Sequence, residues 1–103
     1  MPETDPLALR HGALVSSMWA QIGEARKLAK SPLSQRAATT QLRRIRYLKK
    51  ILRKAHRLEM QRQEFSTPAI DGWFMPLETT LDRAEVFFGQ AVANTELATA
   101  MAH

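Results

Sequence analysis

The imidazoles of this chain are His11, His56 and His103, and there is no cysteine among its 103 residues. Disulfides, thiolate metal sites and thiol nucleophiles are therefore excluded by composition. On a helix, His56 and Glu59 form one pair at three-residue spacing. A di-metal helical bundle needs two such pairs and further glutamates, so one pair does not make a metal set, and no metal or other cofactor is expected. His11 falls on an apolar stripe and reads as a core residue with its polar atoms satisfied, while His103 is the last residue. No glycine-rich phosphate loop, nucleophile elbow or HExxH helix occurs. The expected class is a binding protein, not an enzyme.

The cations have the more informative spacing. Arg36, Arg43, Arg44, Arg46, Lys49, Lys50, Arg53, Lys54, Arg57 and Arg62 face the single acid Glu59 within that span, a local charge of +9 in a chain of net charge +5. The rest of the chain therefore sums to −4, and the asymmetry belongs to this segment. At about 100° per residue, Arg43, Arg46, Lys49, Lys50, Arg53, Lys54 and Arg57 share an arc of about 140°, with Ile45, Leu48, Ile51, Leu52, Ala55 and Leu58 opposite. Arg46 with Lys50, Lys49 with Arg53, Lys50 with Lys54 and Arg53 with Arg57 are like-charge pairs at four-residue spacing. Each opposes the helix by about 0.2–0.5 kcal/mol, so together they cost about 1–2 kcal/mol. A face chosen only for solubility mixes signs. This one predicts an anionic partner.

Two partner classes fit, the phosphates of DNA or structured RNA and an acidic protein surface. Tyr47 is the one aromatic in the basic segment, which disfavours single-stranded binding by base stacking and favours phosphate contact. Such contacts position a protein without reading sequence. An anionic membrane surface ranks third, because Tyr47 and Phe65 are the only aromatic anchors that the amphipathic helix offers. Arg44 and Arg62 lie inside the apolar arc and read as side chains snorkelling past the ends of the core, the alternative being an acidic group on a partner helix across a dimer interface.

The elements that must hold these residues follow from local signals. Asp5 before Pro6 reads as an N-cap with proline at the first helical position. Leu7, His11, Leu14, Val15, Met18, Ile22, Ala25 and Ala29 then keep helical period, which gives a helix over about 6–30. Ser31-Pro32-Leu33-Ser34 breaks it with a short turn, so the next helix should return antiparallel. No glycine or proline interrupts 35–65, and a long basic helix is expected over about 34–65. Its apolar stripe includes Leu42 as well as the residues opposite the cations. Thr67-Pro68 and Asp71-Gly72 are turn signals and predict a loop over 66–75, with Pro76 opening a third helix to about residue 101. Leu77, Leu81, Ala84, Phe88, Ala91, Thr95 and Ala98 form that helix's stripe. Trp73, Phe74 and Met75 fall in the loop, either folded back as a lid on the end of the bundle or exposed as an interaction anchor.

The expected architecture is all-α, a single domain spanning 1–103 arranged as a three-helix antiparallel hairpin or bundle with a long central basic helix. A chain of this size buries a modest share of its surface, so pairing with a second copy through the apolar stripes is expected as well. Acids at the N-terminus and the lack of an apolar run of about 20 residues predict a cytoplasmic protein with no transmembrane segment. Glu78, Asp82 and Glu85 share one face at the start of the third helix. With a loop over 66–75 they either neutralise Arg57 and Arg62 at the end of the second helix or interact favourably with the N-terminus of their own helix, and in both cases leave Lys49, Lys50, Arg53 and Lys54 uncompensated.

Overall fold

Ser34 begins the central helix as its N-cap, with extended backbone and a side-chain oxygen that accepts from the Ala37 N–H at 3.1 Å. Its neighbours follow the same rules. A computed structural model of the chain describes residues 6–102, leaving out the side chains of residues 98, 99 and 102. It contains α1 (Pro6–Ala29), α2 (Gln35–Arg62) and α3 (Thr67–Ala102), and no strand among the described residues. The expected Asp5 cap, His103 and the Ala98 side chain lie outside what is described.

The C-terminus of α2 closes on Gln63, whose left-handed backbone (φ 55°) lets its N–H reach the Glu59 carbonyl at 3.3 Å. This is the usual way of satisfying orphan carbonyls at a helix end. Ser66 then caps α3, its hydroxyl accepting from the Ala69 N–H at 3.3 Å. The expected loop over 66–75 is thus absent, and α3 begins at Thr67, nine positions before Pro76. Pro68 sits in the first turn, where its missing N–H has no intrahelical partner to lose. Pro76 lies inside the helix, where it cannot donate to the Gly72 carbonyl. The apolar period running through Ile70, Phe74, Leu77, Leu81 and Phe88, all buried, outweighs that cost.

Arg10 and His11 near the start of α1 meet Glu59 near the end of α2, so α1 runs antiparallel to α2. Ion pairs from α2 to α3 rise in one helix as they fall in the other, so α3 is antiparallel to α2 too. Met18, Ile22 and Ala25 of α1, Leu42, Ile45, Leu48 and Leu52 of α2, and the buried stripe of α3 make a single core. It is drawn out along the helices. The extents are 61 × 28 × 16 Å and the radius of gyration is 16.9 Å, against about 13 Å for a compact chain of this length. No helix among the described residues is long and apolar enough to cross a membrane.

Phe74 is fully buried and Trp73 half-buried, while Met75 is 47% exposed. Successive helical residues point about 100° apart, so three neighbours in one helix cannot all form a lid or a loop anchor. The expectation of a shared loop role for Trp73, Phe74 and Met75 is corrected accordingly. Phe74 lies between two imidazoles, stacked on His56 at 5.1 Å and edge-on to His11 at 5.2 Å.

Candidate anion-binding face of the second helix

Because α3 starts at Thr67, its acids lie well down the length of α2. Asp82 Oδ1 is 2.6 Å and Glu85 Oε1 3.1 Å from Lys49 Nζ. Glu85 also approaches Arg46 at 3.6 Å, and Glu78 and Asp82 approach Arg53, each at 3.7 Å. The expectation that these acids would stop short of the middle of the stripe is therefore wrong. They neutralise Arg46, Lys49 and Arg53, not Arg57 and Arg62. The physical reason is register: with no loop to cross, α3 is displaced by roughly ten residues, or about 15 Å, along α2.

Lys49 is the most altered of the seven stripe residues. It is 7% exposed, held where the apolar core meets the acidic side of α3. The hydrogen bond to Asp82 raises its pKa above the ordinary 10.5, burial opposes this, and Glu85 adds to the rise. Its ammonium is thus committed inside the fold. Arg46 and Arg53 remain exposed beside their carboxylates, with side chains 63% and 53% accessible.

The acid of the basic segment, Glu59, faces the other way. Its carboxylate is 1% exposed and receives Arg10 Nη1 at 2.7 Å and His11 Nε2 at 2.8 Å, with Arg62 at 3.6 Å. Burial alone would raise its pKa, but the hydrogen bonds from Arg10 and His11 outweigh that and hold it below the ordinary 4.5. His56 is hydrogen-bonded to α3 and not to Glu59. Its Nε2 lies 2.9 Å from Asp71 and its Nδ1 3.1 Å from Glu78, so both ring nitrogens face acceptor oxygens on α3. Among the described residues no group of three potential ligands is arranged to hold a metal. The two histidines join helices: His11 ties α1 to α2, and His56 ties α2 to α3.

What remains on the outer surface of α2 is a narrower set than the whole stripe. Arg36, Arg43, Lys50, Lys54 and Arg57 are exposed and make no ion pair with any described residue, as is also true of Arg44 on another side of the helix. Arg36, Arg43, Lys50 and Arg57 recur every seven residues. A seven-residue step is close to two turns, so these four cations advance about 10.5 Å at a time along one ridge of about 31 Å. Tyr47, 63% exposed, sits on the same ridge.

No protein-family model, curated protein or solved structure matches this chain.

Function therefore rests on the residues themselves. Of the stripe predicted from sequence, Arg43, Lys50, Lys54 and Arg57 lie on the ridge without ion pairs among the described residues, whereas Arg46, Lys49 and Arg53 are turned to α3. Arg36 joins the ridge, and its place in the seven-residue repeat with Arg43, Lys50 and Arg57 is legible in the sequence. Arg10, the partner of Glu59, left no signal in the sequence, because a contact between α1 and the end of α2 has no local signature.

Proposed function

We propose that this protein is a non-catalytic accessory or regulatory protein that engages nucleic-acid phosphates through the outer ridge of α2. The observation that carries the reading is the line of Arg36, Arg43, Lys50, Lys54 and Arg57, exposed and without ion pairs among the described residues. The fold supplies carboxylates to the inner cations, and the outer ones are left to meet an external anion. A B-form duplex carries about one charge per 1.7 Å of axis, so phosphates are available along the whole ridge. Phosphate contacts of this kind fix position without base readout. Docking on an acidic protein is the weaker reading, since burial of Phe74 and half-burial of Trp73 remove its expected aromatic anchor.

The test is binding to labelled random duplex DNA and to structured RNA across a salt series. If all five cations engage, the log–log slope on duplex DNA is about −4.5. Replacing Lys50 and Lys54 by glutamine should reduce it by about 1.8 and leave the helical content unchanged. Absence of binding to either nucleic acid at low salt rejects the proposal, and capture by an acidic protein would then replace it.

A further inference from the structure

On the side of the bundle away from the α2 ridge, α1 and α3 leave a cleft of about 240 Å³ between them. Ile22 and Ala25 of α1 and Ala84 and Phe88 of α3 line it with carbon, and Arg26 and Arg83 line it with charge. The cleft exists because alanines face each other where larger side chains would interlock. Its aromatic flank is formed by Phe88, buried at 2% exposure, and Phe87, 45% exposed, in edge-to-face contact at 5.1 Å.

Arg26 and Arg83 both line this small concavity, both residues are exposed, and neither has an ion pair among the described residues. Like charges at one rim repel, and an apolar hollow beside them gains by shedding water. A ligand that answers both features carries an anionic head and an apolar body. A second copy of this chain does not fit, since a two-fold contact would bring another Arg26 and Arg83 to the same place. The size points the same way. The lining covers about two turns of each helix, roughly 10–12 Å, too short a groove for a docked helix. A cavity of about 150 Å³ accommodates benzene, while sites for drug-sized ligands begin near about 300 Å³.

We propose that the cleft between α1 and α3 binds a small carboxylate bearing one aromatic ring or a short acyl chain, with Arg26 and Arg83 holding the carboxylate over the Ala25, Ala84 and Phe88 floor. Guanidinium matches carboxylate geometry through paired N–H donors, and the apolar body replaces water on the floor. This site is separate from the α2 ridge and does not depend on the reading given to that ridge.

The probes are 4-phenylbutyrate and the neutral 4-phenylbutan-1-ol, titrated into the full chain with methyl resonances of Ile22, Ala25 and Ala84 followed by NMR. The expected result is saturable shifts at these methyls with the acid, binding at least about tenfold tighter than the alcohol, a difference of about 1.4 kcal/mol. The double variant R26Q/R83Q should abolish that preference while keeping its helical circular dichroism. K50Q/K54Q should leave the acid's affinity within about twofold. Equal affinity for acid and alcohol overturns the proposal, as does a preference that survives R26Q/R83Q or disappears in K50Q/K54Q. Absence of saturable shifts up to the solubility of the acid overturns it too.

Discussion

Lys49 and Lys50 are adjacent in sequence and identical in type, yet the structure gives them opposite duties, and replacing each by glutamine separates the two. The Lys49 side chain is 9% exposed, with carboxylate oxygens at 2.6 and 3.1 Å. Hydrogen bonds to charged groups contribute about 1.5–3 kcal/mol each. Asp82 and Glu85 are 52% and 32% exposed, so water can rehydrate them, and a glutamine amide can replace one bond. The net cost is then about 1.5–3 kcal/mol, below the roughly 3–5 kcal/mol of a fully buried pair. For a chain of this size that lowers Tm by at least about 6 °C. Lys50→Gln, on the exposed ridge, should change stability by no more than about 0.5 kcal/mol. In the salt series the order reverses: Lys50→Gln flattens the slope by about 0.9 and Lys49→Gln leaves it alone. Thermal denaturation and filter binding on the two variants are the assays. The Lys49 contribution should be whole at pH values below its unfolded 10.5 and fall away as pH rises through its higher folded value. The reasoning fails if Lys49→Gln keeps its Tm within about 2 °C and flattens the salt slope as Lys50→Gln does.

Glu59 sets a limit on the acid side. Its folded pKa lies below 4.5, so its contribution is present above that value and is lost as pH falls through the folded one. Glu59→Gln should therefore destabilise by up to about 3 kcal/mol at pH 7, with the gap to wild type narrowing in urea denaturation as pH falls below 4.5; a gap independent of pH contradicts this. Phe74→Ala should cost about 3–5 kcal/mol, because the ring is fully buried between His11 and His56. Trp73→Ala should cost less and Met75→Ala least; three similar values in equilibrium unfolding would restore the loop reading of 66–75.

The helices and the basic stripe were legible in the sequence because both depend on spacing within one segment. Leu42, Ile45, Leu48 and Leu52 mark the buried face of α2, and the cations fall opposite, whatever else the chain does. Ser34, Pro6 and the absence of glycine or proline across α2 set the first two elements for the same local reason. In the segment 66–75 local signals conflict. Thr67-Pro68 and Asp71-Gly72 have turn chemistry, but Ile70 and Phe74 continue the period of Leu77 and Leu81 across Pro76. Burial decided the conflict, and Asp71 found its partner in His56 rather than in a turn.

That outcome fixed which cations are free. With a loop over 66–75, Asp82 would lie beside the end of α2; with the tight turn at Gln63–Ser66 it lies against Lys49. The sequence alone determined that α2 carries a continuous cationic face, since charge and helical period are properties of one segment. Only the tertiary structure decided that α3 occupies Arg46, Lys49 and Arg53 and leaves Arg36, Arg43, Lys50, Lys54 and Arg57 to the outside. The register between two antiparallel helices is set by where the chain turns and what its core buries, and neither is written in the spacing of the cations themselves.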